Sequence, residues 1–365
     1  MGGTLNIGII GVGTISAQYF AEFPKLAGLH VVAVADVNEA RALEVAAEQG
    51  VEALSVDALL ADPRIDAVLN LTIPAVHVEI ATRALLAGKH VYGEKPLALD
   101  PGEAEGMLEL ARTRGLRVGS APDTVLGTGV QTARALLDSG AVGDAVAAAV
   151  HWSSAGHELW HPAPQFYYQP GGGPLFDMAP YYLTTLVTLL GPVVRVSGVA
   201  TRSNRQRTIA TGSQAGAAVP VDVDTHVSAI LEHANGLTST LTVSFEVWAS
   251  RAPLFELYGT TGTIAVPDPN RFSDPVEVWT VDVPEWTEVP VSAGYADAGR
   301  GVGLADMAHA IETDRPHRAS GDLAFHVLEI MDAVLRASHE HRVIELTSTV
   351  VRPETVPQGA TPNSW

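Results

Sequence analysis

The first third of the chain alternates short apolar runs with alanine- and glutamate-rich segments of helical length. The apolar runs are predicted strands and cover residues 5–10, 31–35, 67–71, 90–92 and 116–118. The intervening segments predicted as helices include residues 39–49, 76–87 and 102–114. Nearly continuous apolar strands separated by helices are typical of a parallel sheet that is covered on both faces. The pattern therefore predicts a doubly wound α/β domain over residues 1–124.

The remainder of the chain has longer predicted strands, which suit an antiparallel sheet. These strands cover residues 147–152, 193–201, 225–232, 237–245, 255–258 and 263–266, and predicted helices cover 180–190, 304–313 and 322–338. Asn235-Gly236 is a two-residue hairpin signal, and residues 259–262 form a second hairpin candidate. We therefore predict an α+β domain over residues 125–345 with a large, mainly antiparallel open sheet, and a loosely packed tail over 346–365. Because such sheets commonly leave one face uncovered, we expect a homodimer or homotetramer.

The charge balance narrows the classes of partner. Asp plus Glu number 41 against 22 Lys plus Arg, so the net charge is −19. This argues against nucleic acid or an anionic membrane as the main partner, because both bind basic surfaces. The absence of cysteine excludes disulfides, thiolate metal sites and cysteine nucleophiles. With neither a basic leader nor an apolar run of about 18 residues, we expect a cytoplasmic protein.

A glycine-rich turn follows the first predicted strand. Gly11 and Gly13 fit the first two glycines of a dinucleotide fingerprint, Thr14 and Ile15 continue the turn, and Ser16 stands where the third glycine is usual. In this motif the backbone approaches a pyrophosphate, and the free N–H groups of the next helix point at it. The strand before the turn and the helix after it are the context that the motif requires. The alternative is an ordinary glycine-rich connection.

Asp36, at the end of the second predicted strand, bears on which cofactor binds. A carboxylate at this place accepts both ribose hydroxyls of NAD and repels a 2′-phosphate. The next residues are Val37 and Asn38, so no arginine follows at once. We therefore assign Asp36 and Val37 to the cofactor site and favour NAD over NADP. The alternative is that Asp36 caps the next helix.

Four further motifs resemble one enzyme family. They are Thr72-Ile73-Pro74, Gly88-Lys89-His90-Val91, Glu94-Lys95-Pro96, and residues 171–177 with the sequence GGGPLFD. With the glycine turn, they make the chain similar to the glucose–fructose oxidoreductase, inositol dehydrogenase and rhizopine-catabolism family, called Gfo/Idh/MocA. The resemblance covers most of the chain. It implies that the turn from Thr72 through His77 lies along the cofactor, and that Glu94 and Lys95 also contact it.

Lys95 also stands out from the residues themselves. It is one of three lysines and lies just past the carboxyl end of a predicted parallel strand, where α/β sheets bind ligands. A partly desolvated lysine can join proton transfer or orient a hydroxyl, whereas the alternative is a solvated loop lysine. The resemblance implies that Lys95 binds the substrate hydroxyl beside the nicotinamide. It also implies that the Lys95–Pro96 bond is often cis.

Asp177 and Tyr181 complete the predicted catalytic set with Lys95. They are four residues apart at the start of an apolar helical segment, so we expect them to share a helix face. Many relatives have histidine where this chain has Tyr181, and the tyrosine resembles the glucose–fructose oxidoreductase branch. A phenol, with its ordinary pKa of about 10, needs a cationic neighbour such as Lys95 to act as a base near neutral pH. The alternatives are a buried aromatic for Tyr181 and a helix cap for Asp177.

An aromatic segment precedes the second glycine-rich loop and is a candidate substrate wall. Trp160, His161 and Tyr168 combine aromatic faces, which pack on the C–H face of a sugar, with polar tips that bind hydroxyls. The alternative is a loop packed on the second sheet. Asp123 ends the last strand of the first sheet, where many relatives carry asparagine. We interpret it as either a substrate-hydroxyl ligand or a solvated carboxylate.

Two other groups of residues are candidate ligand sites. His157 to His161 match the zinc motif HExxH, but Pro162 pushes His161 out of helical conformation, so we predict no metal. Arg202, Arg205 and Arg207 either bind an anion or form a solvated face or subunit contact.

Together these observations predict an NAD-dependent oxidoreductase that oxidises a secondary hydroxyl of a sugar, glycoside or polyol. A first alternative is an NAD-dependent glycoside hydrolase, which oxidises a ring hydroxyl transiently, eliminates the aglycone, adds water and reduces the carbonyl again. A second alternative is a nucleotide-binding sensor without catalysis, against which the intact Lys95, Asp177 and Tyr181 argue.

Overall fold

The computed structural model describes residues 4–362, which form two compact units that are each discontinuous in sequence. Unit 1 contains the described residues up to Gln131, then Ser292–Phe325, then the described residues from Pro353 onward. Unit 2 contains Thr132–Val291 and His326–Arg352. The predicted domains run consecutively, with boundaries at 124 and 345. They therefore differ from the compact units, because two late segments of the chain belong to unit 1.

Unit 1 is built on a six-stranded sheet. Its strands are β1 (Leu5–Ile10), β2 (Leu29–Ala35), β3 (Glu52–Ala53), β4 (Ala67–Asn70), β5 (His90–Gly93) and β6 (Val118–Ser120). Their order is β3-β2-β1-β4-β5-β6 and every pairing is parallel. This confirms the predicted doubly wound α/β architecture. The glycine turn, the Thr72 turn and Lys95 follow the adjacent strands β1, β4 and β5, so all three lie at the carboxyl edge of the sheet.

Six helices lie wholly in unit 1 within the described residues, and side chains cap the first turns of three of them. They are α1 (Ser16–Glu22), α2 (Glu39–Gln49), α3 (Val56–Ala61), α4 (His77–Leu86), α5 (Pro101–Thr113) and, from the later part of the chain, α9 (Val302–Thr313). The side chains of Asn38, Ser55 and Asp100 accept hydrogen bonds from the first turns of α2, α3 and α5. Helices α6 (Thr128–Asp138) and α10 (Gly321–Glu340) each begin in unit 1 and end in unit 2.

Unit 2 is built on a nine-stranded sheet. Its strands are β7 (Ala145–Ser153), β8 (Val193–Thr201), β11 (His226–His233), β12 (Thr238–Ser244), β13 (Phe255–Gly259), β14 (Gly262–Ala265), β15 (Val276–Thr280), β16 (Thr287–Val289) and β17 (Ile344–Glu345). Their order is β16-β15-β14-β13-β7-β12-β11-β8-β17. In the described residues every pairing in this sheet is antiparallel except β7 with β12. The predicted hairpins at Asn235-Gly236 and residues 259–262 are confirmed.

Three smaller elements of unit 2 lie outside the nine-stranded sheet. Helix α7 (Gly173–Asp177) is followed by α8 (Ala179–Leu190), in which every residue is buried. The segment between β8 and β11, for which no strand is predicted, contains a two-stranded antiparallel ribbon of β9 (Arg207–Thr208) and β10 (Ala218–Val219). On the uncovered face of the large sheet, Val199 of β8 and Ile230 of β11 are 62% and 53% exposed. That face therefore carries apolar side chains in contact with solvent.

The prediction of a loosely packed C-terminal segment is wrong as far as Pro362, where the described residues end. Val356 and Ala360 are buried. The N–H of Val356 donates to Gln131 Oε1 at 2.8 Å, and its carbonyl accepts from the N–H of Gly294 at 3.0 Å. These bonds and the apolar contacts fasten the segment to unit 1. Within the described residues, no helix combines the length and the apolarity that a membrane crossing requires.

Candidate active site

The two glycines of the turn after β1 have different surroundings. Gly11 has a φ of +93°, and a Cβ placed on it would lie 2.7 Å from the carbonyl carbon of Leu71. Gly13 is exposed, and a Cβ placed on it would meet no atom within 4 Å. Ile15, at the start of α1, offers no side-chain cap to the helix. The turn therefore leaves open space and backbone N–H groups where a pyrophosphate would bind, and this arrangement fits a dinucleotide.

Asp36, which follows β2, is hydrogen-bonded to this turn. Its Oδ2 accepts from the N–H of Val12 at 2.8 Å, and its Oδ1 accepts from the N–H of Asn38 at 2.8 Å. The cap of α2 is Asn38, so the alternative reading of Asp36 as that cap is wrong. Each carboxylate oxygen keeps further acceptor capacity for a ribose hydroxyl. Val37 is 98% exposed and Ile73 is 68% exposed, so both apolar side chains are available to a flat base.

His77 ties together the loops after β4 and β5. Its Nδ1 lies 2.7 Å from the carbonyl oxygen of Pro96, and its Nε2 lies 3.0 Å from that of Thr72. The ring is buried, and burial lowers the pKa of His77. Thr72 also donates from its hydroxyl to Asn70 Oδ1 at 2.6 Å. His77, predicted to bind the cofactor, is thus placed behind the loops that face the carboxyl edge.

Glu94 holds the backbone at Lys95. Its Oε1 accepts from the hydroxyl of Tyr19 at 2.9 Å, and its Oε2 accepts from the N–H of Lys95 at 3.1 Å. Glu94 is buried and Lys95 is half-buried. The Lys95–Pro96 peptide bond is cis, which confirms that expectation. The structure thus brings Lys95 to the same sheet edge as the glycine turn and Asp36.

Asp123 has a structural role that sequence reasoning did not predict. It is wholly buried, and its Oδ2 accepts from the N–H groups of Gly301 at 2.9 Å and Gly303 at 3.1 Å, at the start of α9. Burial raises the pKa of its carboxyl group. The solvated alternative is wrong because the carboxylate is wholly buried, whereas the role of Asp123 as a substrate-hydroxyl ligand stays a prediction. These hydrogen bonds explain an acidic residue at this position, because its carboxylate accepts from free N–H groups at the start of a helix.

Asp177 and Tyr181 lie on two successive helices of unit 2. Asp177 ends α7, and Tyr181 lies in α8 after a break at Met178. The prediction of one continuous helix with both residues on one face is wrong, because Pro180 stands in the first turn of a new helix. Met178 occupies the cap position of α8, so the alternative reading of Asp177 as that cap is also wrong. The side chain of Asp177 is 13% exposed, and Tyr181 is buried.

His157 contacts Asp177, and sequence reasoning missed it as a site residue. Its Nε2 lies 2.8 Å from Asp177 Oδ2. The ring is buried among Trp152, Tyr167 and Phe245, with ring-centroid distances of 6.4, 4.4 and 4.4 Å. The sequence does carry a signal for such a role, because a histidine stands beside an acidic residue in the aromatic segment. The match to the zinc motif led to a different interpretation of that histidine.

The predicted substrate wall divides into exposed and buried parts. Trp160 is 57% exposed, and its ring packs edge-on against His161 at 5.4 Å. Tyr168 is wholly buried, and its hydroxyl donates to Glu158 and accepts from the N–H of His157 at 2.9 Å. Burial and the bond to Glu158 raise the pKa of Tyr168. Trp160 and His161 are therefore available to a ligand, whereas Tyr168 supports the segment from behind.

A buried ion-pair network lies beneath this segment. Arg207 Nη1 donates to both carboxylate oxygens of Glu158 at 3.0 and 3.1 Å, and Nη2 donates to Glu246 at 2.7 Å. Arg205 also reaches Glu158, at 3.1 Å, and its guanidinium lies 4.7 Å from the ring centroid of Trp248. Arg207 and Glu158 are each buried. The reading of the three arginines as a solvated face therefore holds for the exposed Arg202 but is wrong for Arg207.

Replacing Arg207 with methionine is expected to lower the free energy of unfolding by about 2 kcal/mol, because the change leaves the buried Glu158 and the half-buried Glu246 short of a donor. Arg205 still pairs with Glu158, which limits the loss. Thermal unfolding measures the effect as a lower Tm. The matched control is Arg202→Met, whose guanidinium is exposed and donates to the carbonyl of Val221 at 2.6 Å. Equal Tm values for the two variants would contradict the assignment.

The HExxH segment does not form the helix that a zinc site needs. Residues His157–Leu159 form a single 3-10 turn, and Trp160 leaves helical conformation with a φ of −134°. His157 directs its Nε2 to Asp177, and His161 Nδ1 accepts from the N–H of Ala163 at 3.1 Å. In residues 4–362 no group of three histidine or acidic side chains is arranged to hold a metal ion.

Comparison with known proteins matches both parts of the chain. Residues 5–121 match the family model described as "Oxidoreductase family, NAD-binding Rossmann fold", and residues 130–265 match the GFO/IDH/MocA C-terminal domain. The chain is 30% identical over 314 residues to dTDP-3,4-didehydro-2,6-dideoxy-alpha-D-glucose 3-reductase of Streptomyces antibioticus, which covers 82% of this chain and 88% of that one. It is 32% identical over 146 residues to inositol 2-dehydrogenase of Gluconacetobacter diazotrophicus, covering 39% and 43% of the two chains. The fold is similar to that of levoglucosan dehydrogenase in complex with NADH and L-sorbose, with a TM-score of 0.80, 23% identity, and coverage of 95% and 100%.

Proposed function

Since the chain belongs to the Gfo/Idh/MocA family of NAD-binding oxidoreductases, we propose that it oxidises a secondary hydroxyl of a sugar, glycoside or polyol by hydride transfer to NAD. The relatives named above act on or bind carbohydrates and polyols, which supports that class of substrate. The Streptomyces relative is named a reductase, and hydride transfer is reversible. We therefore propose the same chemistry in both directions and take oxidation as the direction to assay first.

The observation that carries the proposal is the position of Lys95 relative to the dinucleotide cradle. Lys95 follows β5, and the turn with Gly13 follows β1, with β4 between these two strands. The open space at Gly13 suits a pyrophosphate, and Asp36 suits the adenosine ribose. A cofactor that extends from this turn along the carboxyl edge brings its reactive ring toward Lys95. An ammonium at that point binds a hydroxyl whose carbon is to lose hydride.

The chain's own residues have separate tasks in the proposed reaction. NAD, when bound, supplies the hydride acceptor. Lys95 donates a hydrogen bond to the substrate oxygen and stabilises the negative charge that develops there. Tyr181, in its ionised phenolate form, receives the hydroxyl proton as the base. Asp177 accepts a hydrogen bond from the substrate, and Trp160 and His161 bind the rest of the sugar.

An anaerobic absorbance assay at 340 nm tests the proposal. The protein and NAD are mixed with sugars, polyols and nitrophenyl glycosides, and NADH and nitrophenol are followed together. We expect steady NADH formation with at least one sugar or polyol, and NADH consumption with the corresponding ketone. Nitrophenol release without NADH formation would replace the proposal with a redox-neutral glycoside hydrolase. NAD binding without either product across the whole panel would also contradict it.

We further propose that the uncovered face of the nine-stranded sheet binds a second copy of this chain, giving a homodimer or homotetramer. Val199 and Ile230 are on this face, and their neighbours there include Thr240 of β12 and Ala149 of β7. Small and apolar residues of this kind suit a flat contact between identical sheets. Light scattering after gel filtration is expected to show an oligomer for the wild type and a monomer for Ile230→Lys. A monomeric wild type would contradict this proposal.

A further inference from the structure

We propose that His157 is a positioning residue that holds Asp177 through a hydrogen bond from Nε2–H, so that the aromatic segment and the proposed catalytic carboxylate act as one element. This inference rests on the proposed function, because Asp177 is a reacting-site residue only in that reaction. It concerns a residue outside the family motifs of the sequence, 20 positions before Asp177.

The geometry determines which ring nitrogen carries the proton. The 2.8 Å contact between His157 Nε2 and Asp177 Oδ2 is attractive to a carboxylate only when Nε2 bears hydrogen. His157 Nδ1 is buried and has no hydrogen-bond partner in the described residues. A second proton on the ring would therefore place a buried N–H where no acceptor lies, at a cost in free energy. The arrangement thus favours the tautomer that carries hydrogen on Nε2 and donates it to Asp177.

The surroundings fix the ring plane. Tyr167 and Phe245 pack against the ring with centroids at 4.4 Å, and Trp160 packs edge-on at 5.1 Å. The N–H of His157 donates to Tyr168, whose hydroxyl also belongs to the Arg207 network. The ring therefore has little freedom to turn away from Asp177.

The titratable groups that face His157 come from several elements. Asp177 comes from α7, Tyr167 and Tyr168 come from the 3-10 turn Gln165–Tyr168, and His161 and Glu158 belong to the same segment as His157. Of these, Glu158 is neutralised by Arg207 and Arg205. Asp177 is the charged partner that His157 contacts directly. A hydrogen-bond donor on that carboxylate fixes its orientation.

The first test compares two substitutions at His157 in the full-length protein. His157→Phe keeps an aromatic ring without the donor, and His157→Gln places an amide N–H near the position of Nε2. We expect kcat to fall on the order of tenfold in His157→Phe, and to recover to within about threefold of wild type in His157→Gln. His30→Gln, at an exposed position in β2, is the control for histidine loss.

The division between kcat and KM separates positioning from a general structural role. Asp177 is proposed to bind the substrate, so His157→Phe is expected to raise KM about tenfold as well, and His157→Gln to restore it. A variant that only folds less well lowers the active fraction and leaves KM unchanged. Equal kcat and equal KM for folded wild type and His157→Phe would overturn the proposal.

A measurement without turnover keeps the inference independent of the substrate. In protein with ¹⁵N-labelled histidine, the signals of His157 are identified by their loss in His157→Gln. We expect the Nε2–H tautomer, and a change of these signals in Asp177→Asn. If no sugar is oxidised while this coupling is observed, the proposed function fails and the contact with Asp177 stands. If sugar is oxidised but the His157 signals are the same in wild type and Asp177→Asn, the inference alone is overturned.

Discussion

Replacing Lys95 with methionine is expected to lower kcat by about 10³-fold while the chain still folds and binds NAD. The ammonium is the proposed group that stabilises the substrate oxygen as its proton leaves, and such a contribution to the transition state is typically this large. Tyr181→Phe is expected to lower kcat by about 10²-fold, because it removes the proton acceptor and keeps the ring. Steady-state NADH formation with the sugar found in the panel measures both effects.

Matched variants make this result specific. Lys25→Met removes a lysine that pairs with Glu22 at 2.9 Å on the surface, and we expect its kcat to equal that of wild type. Tyr182→Phe removes a hydroxyl that donates to Asp268 at 3.0 Å, so it is expected to affect stability more than turnover. Near-wild-type turnover in folded Lys95→Met or Tyr181→Phe would contradict the assigned roles.

Replacing the two glycines of the cofactor turn with alanine, one at a time, is expected to impair two different properties, NAD binding and folding stability. Gly13→Ala adds a methyl group that meets no protein atom within 4 Å, so the Tm is expected to stay that of wild type. The same methyl group occupies the space of the pyrophosphate, and the Kd for NAD is expected to rise on the order of 100-fold. Calorimetric titration with NAD and thermal unfolding measure the two quantities.

Gly11→Ala is expected to reduce the free energy of unfolding itself. The backbone at Gly11 has a φ of +93°, which residues other than glycine rarely adopt. The added Cβ would also lie 2.7 Å from the backbone of Leu71. Strain and overlap together are expected to cost about 3 kcal/mol. Equal losses of Tm in the two variants would contradict the difference in packing between Gly11 and Gly13. Unchanged NAD binding in Gly13→Ala would show that the open space at Gly13 is not the phosphate site.

The architecture of unit 1 was predictable because its strands are buried on both faces. Residues 5–10 and 39–49 were bounded correctly, since apolar periodicity and the Asn38 cap both appear locally in the sequence. The two-residue strand β3 was missed because so short an edge strand carries no period of its own. Strands β15 and β16 were missed for a related reason, because they are short and partly exposed at the edge of the second sheet.

The candidate site was only partly predictable. The glycine turn and Lys95 were identified because each follows a strand that the pattern identifies. The environments of Asp123 and Tyr168 were not, because their burial depends on partners far along the chain, Gly301 and Arg207. The contact of His157 with Asp177 depends on how a loop without regular periodicity folds back, and no local rule predicts such a contact.

The return of late segments to unit 1 has a consequence for how the chain is made. Asp123 finds its two N–H donors only in residues synthesised 178 and 180 positions later. Gln131 accepts a hydrogen bond from the N–H of Val356, which is synthesised later still. On the ribosome, the nucleotide-binding half emerges first yet is among the last parts to be completed. Unit 1 therefore completes its internal hydrogen bonds only after Val356 has left the exit tunnel.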